Sequence, residues 1–353
     1  MGKTSNSHFR RNYGNLTFRI VCLGGILLTM AVNNISAQTW PANRWKVASS
    51  PEDVGMNSSV LDDFNTWFTE TKNAKKSSWG YIIIRDGKIA AEKYGNGGDR
   101  NVQWDFGSNR KSVYSALLGM AIKEGKINLD DNISKVWPSS HAGYKSDATI
   151  QCYFNASIAC TPLCDCFRYD NCYFTYAGQI LGALYQKPDD EVASLATEKL
   201  IPLLGLKNTK FFQAPVSESC GKMVYQTNLR DAAKFCYLWL NKGKWEDREL
   251  FTVQYATIAT TKSNPDNNYG DYGLCWFVNS NRNRLPDCPA DLFWNIGDGF
   301  DKTRALLAIV PSKNLILVLR SDASAYDFIG RDYRTNNSGQ NDIIKRILAA
   351  VKP

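Results

Sequence analysis

Ser108 and Lys111 stand three residues apart in WDFGSNRKSVYSALLGMA (104–121), at the start of a run whose apolar pattern predicts a helix over 109–123. A serine hydroxyl needs a proton acceptor to become a nucleophile, and imidazole is scarce here, since the only histidines are His8 and His141. His141 lies in a polar Ser-Ser-His-Ala-Gly loop, which supplies a Ser-His-Asp arrangement poorly. A lysine can stand in when its ammonium is acidic enough to exist partly as the amine, and the i, i+3 spacing puts Ser108 and Lys111 on one helix face. The helix start adds a positive end that disfavours a nearby ammonium. It also offers free backbone N–H groups for a developing oxyanion, the Ser108 N–H among them. A lone S-x-x-K is common on helix surfaces, so the surrounding elements must carry the chemistry.

Those elements alternate between the two periods of protein structure. NSSVLDDFNTWFTETK (57–72) has helical spacing behind a capping Ser, and GYIIIRDGKIAAEKYG (80–95) is two apolar strands joined by Asp86-Gly87, a strong hairpin signal. After the Ser108 helix come a turn-rich segment, an irregular Cys-rich stretch, helical residues 173–204, and the amphipathic 227–245, stopped by Gly243. The chain then returns to strands at 272–280, 292–299, 304–312 and 314–322, with a last helix near 340–351. This order predicts an α+β fold: an antiparallel sheet built from both chain ends (about 50–100 and 245–353), flanked by helices, with an inserted, mostly helical subdomain (about 101–244).

Residues 1–37 differ from the rest. Lys3, Arg10, Arg11 and Arg19 precede the apolar run Ile20–Val32 and the small-residue end Ile35-Ser36-Ala37, the layout of a signal peptide cleaved after Ala37. The run is short of the roughly 20 residues that span a bilayer, so no stable membrane insertion is expected after cleavage, and the product is secreted or periplasmic. The net charge of +8 includes those four basic residues and no acidic ones, which leaves +4 for 38–353. With no Lys/Arg run interleaved with aromatics, nucleic-acid binding finds no support. Nine of ten cysteines follow the leader, five of them (Cys152, Cys160, Cys164, Cys166, Cys172) within 152–172. Without a repeated CxxC pair or a neighbouring histidine this cluster reads as mutually paired disulfides rather than a zinc site, and no metal or other cofactor is expected. Nine is odd, and Cys236, on an apolar helix, is the candidate for a buried free thiol.

The stretch WDFGSNRKSVYSALLGMAIKEGKINLDDNISKVWP resembles the serine β-lactamase and penicillin-binding-protein superfamily, in particular the class C β-lactamase-related branch with its esterases, D-aminopeptidases and 6-aminohexanoate-dimer hydrolases. YFTYAGQILGALYQK, LIPLLGLKNTKF, TNLRDAAKF and GDGFDKTRALLAIVPSKNLILVL extend the likeness over roughly 50–350. The resemblance implies a β-lactamase/transpeptidase-like fold and a serine hydrolase acting on a small-molecule ester or amide. Ser108 would be the acylated nucleophile, Lys111 its proton acceptor and Tyr176, in Tyr176-Ala177-Gly178, the second-motif tyrosine. The third motif, usually Lys/His-x-Gly on the strand lining the cleft, aligns with Asn295-Ile296-Gly297, and the Asp298 N–H would complete the oxyanion hole.

Two departures stand out. The second motif ends in Asn in the family and in Gly178 here, and Asn295 brings no cation for a substrate carboxylate, unless Lys302 or Arg304 points into the cleft. Both favour esters and short amides over a dedicated β-lactamase or D-Ala carboxypeptidase. They also keep open a catalytically silent binding or structural protein of this fold. A disulfide-rich recognition module, suggested by 152–172, is the third reading.

Overall fold

A computed structural model describes residues 40–41, 44–71, 78–188, 191–214, 223–263, 271–299, 303–322 and 338–353. The expected signal peptide and Lys302 lie outside these residues. Helix α1 (Ser58–Thr71) leads into strands β1 (Trp79–Arg85) and β2 (Lys88–Gly95), then the short β3 (Trp104–Asp105), a 3-10 turn Gly107–Asn109, and α2 (Arg110–Lys123). The helical insert continues with α3 (Ile150–Phe154), α4 (Asn171–Leu184) and α5 (Val192–Leu204). A small sheet adds β4 (Lys210–Gln213) and β5 (Met223–Thr227), and α6 (Leu229–Leu240) follows. After the hairpin β6 (Lys244–Trp245) and β7 (Arg248–Glu249) come α7 (Val253–Ala259), β8 (Phe277–Val278), β9 (Phe293–Asp298), β10 (Thr303–Val310), β11 (Leu315–Asp322) and α8 (Ser338–Ala349).

The main sheet has the antiparallel order β2-β1-β11-β10-β9-β8, so the first hairpin pairs with the last strands of the chain, as the strand pattern predicts. Asp86 and Gly87 both take positive φ, the backbone a two-residue hairpin loop requires. Strand β1 is buried along nearly its whole length, because α1 covers one face and α6 the other. On the α1 face Phe64 and Phe68 meet Tyr81 and Trp79 edge-on, with ring centroids 5.2 Å apart in each pair.

Helix α2 is the axis of the other half. Its residues Arg110–Ala121 are all buried, the polar Arg110, Lys111, Ser112 and Ser115 among them, and it packs against α4, α5 and α7. The expected single helical run 173–204 is two helices, and the expected strand 272–280 shrinks to Phe277–Val278. Cys275, at φ +60, turns the chain out of extended backbone there. No helix among the described residues is long and apolar enough to cross a membrane.

Candidate active site

Backbone close approach fixes the position of Ser108. Gly107 has φ +52, and a Cβ there would lie 2.0 Å from the Asp298 carbonyl oxygen; a Cβ on Gly297 would lie 1.8 Å from the Phe106 carbonyl oxygen. Only glycines let the turn before α2 sit directly on the end of β9. The Asp105 carboxylate accepts the Gly107 N–H at 2.7 Å, and the Asn109 amide donates to the Phe106 carbonyl at 2.9 Å and to Ala305 on β10 at 3.3 Å. Ser108 is left partly exposed above this clamp.

One helical step on, the Lys111 side chain is wholly buried. Its Nζ donates to Ser108 Oγ at 3.0 Å and to Asn171 Oδ1 at 2.9 Å, and it lies 4.7 Å from the Tyr169 ring centroid and 4.9 Å from that of Phe174. Burial pushes the Tyr169 phenol up to about 12, opposed in part by the Ser108 hydroxyl, which hydrogen-bonds its oxygen. The phenol is therefore protonated at neutral pH and stands ready as a donor. The Ser-Lys pair expected from the sequence is thus brought together, with a tyrosine and an asparagine closing the set.

That tyrosine is not Tyr176. Tyr176 sits in the middle of α4 and packs its ring against Trp137, His141 and Tyr173 at centroid distances of 6.0, 6.3 and 6.0 Å. Gly178 packs toward Val192 and the Tyr114 hydroxyl, so it does not occupy the place of the missing asparagine. The groups at Lys111 belong to Tyr169-Asp170-Asn171, a complete Tyr-x-Asn at the entry of α4, whose first turn is capped by Asp170 accepting the Cys172 N–H at 2.8 Å. The signal was present in the sequence, hidden at the end of the Cys-rich stretch. That stretch is held by Cys152–Cys164 and Cys160–Cys166, and Cys172, next to Asn171, is disulfide-bonded as well. Cys236 is free and buried as expected, and so are Cys275 and Cys288.

Asn295 also departs from its expected place. It is 2% exposed, and its Nδ2 donates to Ser112 Oγ at 2.6 Å and to the Cys275 carbonyl at 2.7 Å, beneath the site rather than into it. Gly297 and Asp298 do adjoin the Ser108 turn. Arg304 is buried opposite Asp298, its Nε 2.9 Å from Asp298 Oδ1, which ties this cation to a carboxylate.

A family model described as Beta-lactamase matches residues 69–334. Among solved structures, a candidate β-lactamase from Bacteroides dorei DSM 17855 superposes with a TM-score of 0.65 at 13% identity, covering 84% of this chain and 99% of that one. A β-lactamase/D-alanine carboxypeptidase from Pseudomonas syringae gives 0.62 at 13% identity with the same coverage. The octameric penicillin-binding protein homologue from Pyrococcus abyssi gives 0.60 at 15%, covering 77% and 74%. At such identities the likeness is one of fold. No curated protein sequence matches.

Proposed function

The chain belongs to the β-lactamase family, whose model covers most of its length, and on that premise we propose that it is a serine hydrolase cleaving an ester or amide through an acyl-enzyme on Ser108. The observation that carries this reading is Lys111, buried and hydrogen-bonded between Ser108 Oγ and Asn171 Oδ1. Burial is the setting in which lysines serve as proton acceptors. As Oγ attacks the substrate carbonyl carbon, the Lys111 amine takes the hydroxyl proton. The carbonyl oxygen becomes an oxyanion held by the N–H groups of Ser108 and Asp298. The proton then passes through the Tyr169 phenol to the leaving oxygen or nitrogen as the old bond breaks. Water enters, the same groups act in reverse, and the acid is released with Ser108 restored.

Asn295 supports a preference for neutral substrates. Its amide is committed inward and Arg304 is held by Asp298, so neither serves a carboxylate beside the scissile bond. A charge-assisted hydrogen bond is worth about 1.5–3 kcal/mol against about 1 for a neutral one, a difference of roughly tenfold in affinity. Short uncharged esters lose nothing by this. The leader-like residues 1–37 and two disulfides support a site of action outside the reducing cytoplasm. The Tyr169-x-Asn171 set answers one of the two departures that favour a silent family member, the Gly178 one.

A fluorophosphonate probe tests the proposal. Wild-type protein should be labelled at Ser108 and should turn over p-nitrophenyl butyrate, and Ser108→Ala should lose both. Ester turnover that survives Ser108→Ala overturns the assignment.

A further inference from the structure

At the start of α6 a half-open cavity of about 150 Å³ lies where the chain before α1, the loop after β2, the loop before β4 and the first turns of α6 meet. Its floor is buried and its charges are spoken for. Arg230 makes a two-pronged bond to Glu92, at 2.8 and 2.6 Å. Lys234, 3% exposed, donates to the Gly205 carbonyl at 2.7 Å, and the Asp231 carboxylate accepts the Asn208 N–H at 2.6 Å. The rim is different. Arg44, Arg100 and Lys207 reach it from three separate segments, and among the described residues no carboxylate lies within ion-pair distance of any of them. Five cations therefore line one small cavity; the one carboxylate in its lining, Asp231, already has a partner, as does Glu92 behind Arg230.

Arg100 attracts Glu92 and Lys207 attracts Asp231 from beyond ion-pair distance, yet five cations against two carboxylates leave the cavity net positive, a field that favours an anion among the rim groups. We propose that this cavity binds a tetrahedral dianionic group, a phosphate or sulfate, with Arg44, Arg100 and Lys207 as its ligands. Converging donors from three directions fit a tetrahedral group, whose oxygens point outward in all directions, better than a planar carboxylate that presents two oxygens on one edge. The cavity is many times the space one water needs, enough for such a group and part of what carries it, but too small for a polymer to enter. None of its residues belongs to the Ser108 site, so the inference stands apart from the hydrolase reading.

The test is calorimetric titration of the full chain with inorganic phosphate and with inorganic sulfate, against acetate at matched ionic strength. Saturable binding of the dianions, at least tenfold tighter than acetate, is expected. Charge-neutralising Arg100→Gln and Lys207→Gln, both at exposed positions, should each weaken it about tenfold, the loss of one charge-assisted bond, while ester turnover stays at the wild-type rate. Glucose 6-phosphate and glucose 6-sulfate identify the source. Tighter binding than the free ion marks a sugar-borne group, and weaker binding marks the free ion as ligand. Equal response to acetate, or dianion binding unchanged in the double variant, overturns the proposal.

Discussion

Replacing Tyr169 by Phe removes one oxygen and leaves the ring, its centroid 4.7 Å from Lys111 Nζ, where it is. The variant therefore isolates the phenol's role from its packing. If the hydroxyl only anchors Ser108, its loss removes one hydrogen bond, about 1 kcal/mol, or less than tenfold in rate. If it relays the proton to the leaving group, it is a general acid, a contribution of about 10²–10⁴, equivalent to about 2.7–5.4 kcal/mol. A fall in kcat/KM for p-nitrophenyl butyrate of a hundredfold or more is expected, with little change in thermal unfolding. The loss should be greater for an anilide, whose leaving nitrogen needs the proton more than nitrophenolate does. Tyr176→Phe, which keeps the stack on Trp137 and His141, should stay within about twofold, as ordinary substitutions away from chemistry do. A Tyr169→Phe enzyme within threefold of wild type, or a hundredfold loss in Tyr176→Phe, would refute the placement of the relay.

Asn171→Ala takes an acceptor from Lys111 and should cost about 1.5–3 kcal/mol in kcat/KM; Asn171→Asp sets a carboxylate beside the amine, favours its charged form, and should move the acidic limb of the pH–rate profile upward. Asn295→Lys should lower the melting temperature, by at least about 2 kcal/mol of stability, because a charge replaces a buried amide with two partners; nitrocefin turnover should not rise. Burial pushes the Cys288 thiol up to about 12 and those of Cys236 and Cys275 higher still. Iodoacetamide should therefore leave all three unmodified in native protein and alkylate them after unreduced denaturation, while Cys152, Cys160, Cys164 and Cys166 remain blocked, as peptide mapping will show.

The sheet was legible because its strands are apolar runs bounded by turn residues, and Asp86-Gly87 announces the first hairpin outright. The pairing of Ser108 with Lys111 was legible because it is local, two side chains on one helical turn. Tyr169 and Asn171 were harder. They reach Lys111 across 60 residues of chain, and their segment owes its shape to cross-links rather than to a periodic apolar pattern, so it reads as irregular. Tyr176, on a clear helix with Ala-Gly after it, matches the family's second motif by pattern alone. The direction of Asn295 is set by its neighbours Ser112 and Cys275, on other elements, and pattern along one strand cannot state it. Cys275 bends the backbone with φ +60 just where strand periodicity suggested that pairing would continue.

The contact of Gly107 with Asp298 has a consequence for the life of the chain before it is finished. The serine belongs to the first third of the polypeptide, and its neighbour on β9 is among the last segments to be made, on a strand that must itself be paired with β10 before it has a fixed place. A nascent or truncated polypeptide can carry the S-x-x-K helix and the Tyr-x-Asn turn and still have no surface on which to develop an oxyanion. On the proposed mechanism the Ser108 hydroxyl would thus lack half of its oxyanion site through synthesis, without an inhibitory segment, and competence would arrive only when the two ends of the domain have met.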